Sequence, residues 1–338
     1  MGKKIVITGA AGFIGSQLGL HLHRSGFDVH LVDNLKYGYR ENLTVGNAEF
    51  GSFHHTDIRD PALGAIFAGA DTVFHLAAIS ALPVCQSEPF EAISTNVAGT
   101  ANVLELSRQA GVRRVIVAST SAVYENNKHF PCREDDAISP SLLYSVSKQQ
   151  TEQLCRSYTL DYGMEVAVTR YYNVYGPQQD IRRKSPPFVG YVIRELLAGR
   201  QPVLHSTGEQ KRDYVFVDDV NAMNIACMEH PDAPGQTFNV AAGQSWSVNE
   251  LYALIAELLG SDIKPVFRSA GMFWERYENL FSGPSPLKRE KLAAEVDKFS
   301  LGSTFHAETV LGWTARTGMR DGLIATIDRM RALLTPAN

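Results

Sequence analysis

Cysteine is scarce in this chain: four residues in 338, Cys85, Cys132, Cys155 and Cys227, lie far apart with no CxxC pair. That spacing indicates neither a zinc cluster nor a disulfide framework, and a reducing compartment, the cytoplasm, fits it best. No window approaches the roughly 18 consecutive apolar residues of a membrane span. The chain enters its first strand-like run directly after Met-Gly-Lys-Lys, without a leader h-region. Position 6 is Val, which departs from a myristoylation signal. A dominant charge is missing too: a net charge of −4 and a pI near 6.2 give no basic field for nucleic acid or an anionic membrane. The basic clusters are short, and Arg113-Arg114 reads as a solvated face. No repeat, heptad run or low-complexity tract is visible. What remains is 44% hydrophobic and long enough to bury a sizeable core.

Short β-type runs alternate with helical stretches through the first half. Strand-like segments fall at 4–8, 28–33, 71–76, 113–119 and 164–170, with helices between them, notably 89–110 and 141–162. This alternation predicts an α/β, Rossmann-type, doubly wound parallel sheet with ligands at the carboxyl ends of its strands. After about residue 175 the texture becomes Pro- and Gly-punctuated, with shorter helices near 218–229 and 247–259. We read 1–175 as a dinucleotide-binding domain and 176–338 as mainly a smaller substrate-binding region. Some of its segments, such as Asp213–Val217, are candidates to return to the main sheet.

The first run, Ile5-Val6-Ile7-Thr8, leads into Gly9-Ala10-Ala11-Gly12-Phe13-Ile14-Gly15. Three glycines at that spacing arise by chance about 0.2 times in a chain with this glycine content, so context carries the signal. A strand precedes them, an amphipathic stretch follows, and Asp33 closes a second strand 18 residues after Gly15. Gly9 permits the turn, Gly12 lets N–H groups approach a pyrophosphate, and Gly15 lets helix and strand pack closely. Asp33 is placed to accept both ribose hydroxyls and repel a 2′-phosphate, favouring NAD. Lys36 and Arg40 keep NADP as a minor option.

Tyr144 and Lys148 stand four apart at the start of a predicted helix, so both emerge on one face. An ammonium about 4 Å from the phenol would stabilise the phenolate by up to about 4 kcal/mol at an effective dielectric of about 20, making it a usable general base. Such pairs also arise by chance about 0.4 times in a chain of this composition. The hydroxyls of Ser119-Thr120-Ser121, directly after the strand Val115-Ile116-Val117, add a second group that could hold the same substrate oxygen.

The ordered set Thr8-Gly9-x-x-Gly12-Phe13-Ile14-Gly15, Asp33-Asn34-Leu35, Asp57-Ile58, His75-Leu76-Ala77-Ala78, Asn96-Val97-x-Gly99-Thr100, Ser119-Thr120-Ser121-x-Val123-Tyr124 and Tyr144-x-x-Ser147-Lys148 resembles the extended short-chain dehydrogenase/reductase family. Arg170-Tyr171-Tyr172-Asn173-Val174-Tyr175-Gly176-Pro177 and Gly208-Glu209-Gln210-x-Arg212-Asp213-Tyr214 resemble its nucleotide-sugar branch, typified by UDP-glucose 4-epimerase. The likeness runs from about residue 3 to 260.

The resemblance implies Tyr144 as general base, Lys148 as the group that lowers its pKa and binds the nicotinamide ribose, and Thr120 as holder of the substrate hydroxyl. It places Asp57 and Ile58 at adenine and Leu76, Ala77 and Ala78 along the cofactor cleft, with Phe13, Ile14, Asn34 and Tyr171 as further cofactor contacts. Asn173 would face the sugar diphosphate and Arg212 the diphosphate itself. A further arginine supplied by relatives has Arg276 and Arg289 as candidates here, with Arg289 preferred. Dehydratase relatives carry an Asp-Glu pair just after the Thr120 position and decarboxylase relatives a Glu at the second place; this chain has Ser121-Ala122, with no proton carrier.

The expected activity is therefore that of a nucleotide-sugar 4-epimerase with tightly bound NAD and no metal. Dehydratase, decarboxylase, simple reductase and non-catalytic sensor are alternatives. UDP-glucose, UDP-N-acetylglucosamine and UDP-glucuronate all remain open, and Arg182, Arg183 and Lys184 either neutralise a uronate carboxylate or sit in solvent. Glu125 stands where the family usually has Gly, and Val84-Cys85 where it has Arg-Ser. By resemblance, helices 89–110 and 141–162 would pair in a homodimer.

Overall fold

Ile5, Val6 and Ile7 are all fully buried, and their alternation sends them to opposite faces of a sheet. Ile5 and Ile7 join Leu18 and Leu22 of the helix Phe13–Arg24 on one face, while Val6 joins Leu63, Phe67, Val103 and Leu104 on the other. A strand covered on both sides needs an unbroken apolar run, which is why the sequence signal there is continuous. The computed structural model describes residues 2–46 and 48–334. Seven parallel strands form the central sheet in the order Thr237–Val240, Glu165–Tyr171, Arg114–Thr120, Thr72–His75, Lys4–Thr8, Asp28–Asp33 and Ser52–His55.

Five of these strands lie where the sequence predicts them. The other two are the sheet's edges. Ser52–His55 is Ser-Phe-His-His with no fully buried residue, and Thr237–Val240 is four residues long, directly after Pro234-Gly235-Gln236. The expected helix 89–110 is interrupted: Pro89–Ile93 and Gly99–Gln109 flank a π-helical turn, Ser94–Ala98. The turn points Asn96 inward, where its side chain accepts the Ile79 N–H and donates to the Ile79 carbonyl and Ser147 Oγ at 2.8, 3.0 and 3.0 Å. Ser147 belongs to the long helix Leu143–Tyr162.

The segment Asp213–Val217 does not return to the main sheet. Lys211–Phe216 pairs parallel with Asn173–Tyr175 and antiparallel with Ser245–Ser247 in a separate three-stranded sheet. The buried Asp213 side chain fixes this arrangement by accepting the N–H groups of Ala242, Gly243 and Gly302. A second apolar core, including Val192, Ile193, Leu251, Ile255, Leu323 and Ile327, holds the helices of this region together. One of them, Val248–Leu259, starts with a reciprocal Ser247–Glu250 capping box and ends at left-handed Gly260. Arg114 also departs from expectation: it is 4% exposed. Its guanidinium donates to the carbonyls of Cys227, Met228 and His230, closing the C-terminus of the helix Val217–Glu229.

Candidate active site

One cavity of about 810 Å³ opens along the carboxyl ends of the central strands and continues under the second region. At its start, Gly9 turns the chain with φ of +72°. A Cβ there would stand 2.6 Å from the Ala77 amide nitrogen, and one on Gly15 would stand 2.3 Å from the Gly9 carbonyl. The helix Phe13–Arg24 begins at Gly12 without a side-chain cap, so its first N–H groups are available to an anion. Asp33 closes the next strand; its carboxylate accepts the Ala11 and Leu35 N–H groups at 3.0 and 2.7 Å and retains lone pairs for hydroxyls. Burial raises the Asp33 pKa against those two hydrogen bonds. A cradle that a Cβ would fill, an uncapped helix start and a carboxylate one strand away fit a dinucleotide.

Phe13, Ile14, Asn34, Ile58, Leu76, Ala77, Ala78 and Tyr171 line the same cavity. Asp57 does not. Its carboxylate is taken by Arg59 at 2.9 Å and by the Asn34 amide at 2.9 Å, and the arginine holds it well below the usual carboxylate range. Asp57 therefore braces the wall rather than forming it. His75, buried beneath Leu76, bridges Thr8 and Thr100 at 2.8 and 2.9 Å, and burial pushes its pKa down to about 3.

Tyr144, Lys148 and Thr120 all line this cavity. The helix Leu143–Tyr162 presents the first two from consecutive turns, and the strand Arg114–Thr120 ends in the third. Their electrostatics differ from expectation. The Lys148 ammonium donates to the Ala118 carbonyl at 2.8 Å, and burial depresses its pKa to about 8. Burial drives the Tyr144 phenol well above its ordinary value, opposed by the Thr120 hydroxyl and the Arg183 charge.

Beyond Thr120, Asn173 and Arg212 line the cavity. The Asn173 amide donates to the Asp213 carbonyl at 2.9 Å, and Arg212 to the Glu295 and Val296 carbonyls at 2.9 Å each. Arg289 lies off this wall: its guanidinium donates to the Gly271 carbonyl at 2.8 Å and covers the Phe281 ring. Arg276 lines the cavity in its place. Among the lining residues given no role from sequence, two carry an unpaired polar group. Tyr172 and Gln210 each have a buried polar atom, the hydroxyl and Oε1, without a partner among the described residues. Both fall inside the motifs that carry the family likeness, which is the only signal that could have marked them.

A family model described as the NAD dependent epimerase/dehydratase family matches residues 5–241. The UDP-glucose 4-epimerase of Mycolicibacterium smegmatis is 32% identical over 333 residues, spanning 97% of this chain and 98% of that protein. UDP-glucuronic acid decarboxylase 1 of Xenopus tropicalis is 29% identical, spanning 97% of this chain and 72% of its own length. Among solved structures, the Thermotoga maritima UDP-glucose 4-epimerase with UDP-glucose superposes with a TM-score of 0.86 at 32% identity, covering 98% of this chain and 100% of that one.

Proposed function

The chain belongs to the NAD dependent epimerase/dehydratase family, and from that premise we propose that it is a nucleotide-sugar 4-epimerase acting on a UDP-sugar. NAD, when bound, supplies the acceptor and later the donor of the C4 hydride. Tyr144 takes the proton of the C4 hydroxyl and returns it to the same oxygen after the sugar has presented its other face. Thr120 holds that oxygen from the opposite side. Lys148, anchored on Ala118, carries the buried positive charge that favours the phenolate form. Asn173 and Arg212 hold the diphosphate, with Arg276 rather than Arg289 as the second cation. We further propose that the cofactor half ends near residue 175, that the protein works in a reducing cytoplasm, and that it is a homodimer.

The observation that carries this reading is the fate of the carboxylates. Five line the cavity among the described residues: Asp33, Glu125, Asp180, Glu275 and Glu295. Asp33 sits at the glycine-rich turn, and Glu125 accepts the Ser141 and Leu142 N–H groups. Asp180 accepts the Arg182 N–H, Glu275 pairs with Arg268 and Glu295 with Lys298. Elimination of water needs a proton carrier beside the ketone; all five carboxylates are engaged by protein groups, and Ser121-Ala122, directly after Thr120, supply no carboxylate.

Purified protein incubated with UDP-sugars and no added cofactor is expected to yield pairs of C4 epimers by NMR, and denaturation to release NAD. A 4-keto-6-deoxy sugar or a pentose as main product would sink the assignment.

A further inference from the structure

One face of the central sheet changes character at its carboxyl end. Val115 and Val117 of one strand and Val166 and Val168 of the next share an apolar cluster with Cys155 of the helix Leu143–Tyr162. Two residues further on, the same face carries Ser119 and Arg170, paired in register, and Asn239 beside them on the edge strand. Over this polar row lies Glu152, on the same helix, four residues after Lys148 and eight after Tyr144. Its carboxylate accepts the Ser119 hydroxyl at 2.5 Å and the Arg170 fork at 3.0 and 2.8 Å. The other terminal nitrogen of Arg170 donates to the Tyr124 hydroxyl at 2.6 Å and the Glu134 carbonyl at 3.2 Å, and Tyr124 donates to Asn239 at 2.9 Å. The Glu152 and Arg170 side chains are 10% and 6% exposed.

A buried ion pair is a poor device for stability. Desolvating both charges costs about what their attraction returns, and apolar residues of similar volume hold a helix on a sheet as well. What apolar packing lacks is direction, whereas a bidentate guanidinium–carboxylate pair with a short hydroxyl bond fixes one distance and one orientation. The residue fixed is Ser119. On one side of it stands Ala118, whose carbonyl anchors the Lys148 ammonium at 2.8 Å. On the other stands Thr120, which ends the strand and accepts the Ala122 N–H at 3.1 Å.

We propose that Glu152 is a positioning residue: through the Ser119 hydroxyl it sets the end of the strand Arg114–Thr120 against the helix Leu143–Tyr162, so that Thr120 and the Ala118 carbonyl stand opposite Tyr144 and Lys148. Arg170 orients the carboxylate. The Ser119 proton is committed to Glu152, which leaves Thr120 as the hydroxyl for the substrate oxygen. This rests on the roles given to Tyr144, Lys148 and Thr120 under the proposed function.

Ser119→Ala removes the link and leaves the ion pair whole, Ser119→Thr restores a hydroxyl, and Glu152→Gln keeps an acceptor but loses the charge. Each NAD-loaded variant is assayed with the UDP-sugar that wild type converts, and hydrogen exchange is followed in the peptide 114–124. Ser119→Ala should lower kcat by about 10–100-fold, the scale of a misplacement near 1 Å, with KM within about threefold of wild type. Exchange at the strand end should quicken by about tenfold, and Ser119→Thr should recover most of both. Where Glu152→Gln folds, combining it with Ser119→Ala should cost little more than the larger single loss, because the two residues act as one unit. If it does not fold, the two Ser119 variants decide. A lower Tm with kcat unchanged in Ser119→Ala would make the link merely structural and overturn the proposal. A rise in KM alone would make Ser119 a substrate contact and overturn it too, as would unchanged exchange or no recovery in Ser119→Thr. A wild type that forms no C4 epimer defeats the epimerase reading, and the exchange measurement still decides whether Glu152 holds the strand end.

Discussion

Tyr144 and Lys148 are both buried, and burial acts on them in opposite directions: it raises the phenol and lowers the ammonium. Each shift favours the neutral form, so the resting site holds a neutral phenol close to a cation that is itself near its titration point. Tyr144→Phe removes the proton carrier and leaves the ring, and turnover is expected to fall by about 10²–10⁴-fold with NAD content unchanged. Activity within a few-fold of wild type would remove Tyr144 from the chemistry. Lys148 allows a test of the burial cost itself. Its folded pKa of about 8 lies below the ordinary 10.5. Below pH 8 both folded and unfolded chains carry the proton and the fold bears the full cost. Between about 8 and 10.5 only the unfolded chain keeps it, so this residue's contribution becomes more favourable as pH rises. Lys148→Met should therefore raise Tm at pH 7 by about 2–4 °C, a gain that shrinks by pH 10, while abolishing turnover. A fall in Tm at pH 7 would show that the hydrogen bond to Ala118 outweighs desolvation.

At the scale of elements, the helix Leu143–Tyr162 is positioned by a residue outside it. Its N-cap, Leu142, offers no side-chain acceptor, and the carboxylate of Glu125 accepts the Ser141 and Leu142 N–H groups at 2.9 and 3.0 Å instead. A negative charge at that end also complements the helix dipole. Glu125→Ala is expected to cost about 1–2 kcal/mol in denaturant unfolding and to lower kcat more than it raises KM; an unchanged kcat would mean that the clamp does not set the register of Tyr144. The central strands and the glycine-rich turn were readable because two-sided burial and a close backbone approach leave few alternatives at Ile5, Val6, Gly9 and Gly15. The edge strand Ser52–His55 was not, since one neighbour and partial exposure place little demand on composition. The π-helical turn at Ser94–Ala98 has no periodic signature strong enough to separate it from the α-helix around it. Arg183 was legible only as one of three basic residues, because its surroundings are loops contributed by distant segments.

For the whole molecule, the cofactor cradle, Tyr144 and the cationic wall share one continuous cavity, so one ligand can lie with its sugar between nicotinamide and diphosphate sites. On the outside, Phe90, Leu160 and Tyr162 of the two helical stretches expected to pair are 85%, 70% and 58% exposed. Large apolar side chains left in water on both partners of a proposed interface are what a homodimer would cover. Light scattering at micromolar concentration should give twice the chain mass of 37.2 kDa, and Leu160→Glu should shift it towards the monomer; a monomeric wild type would remove the dimer. The most direct test of the proposed chemistry follows deuterium placed on C4 of a UDP-sugar that the protein converts, with unlabelled NADH in the surrounding solution. Deuterium retained on C4 of the epimer, with none in the free NADH, is the predicted result. Label appearing in the soluble cofactor pool, or lost to water, would contradict a hydride lent and returned within one closed site.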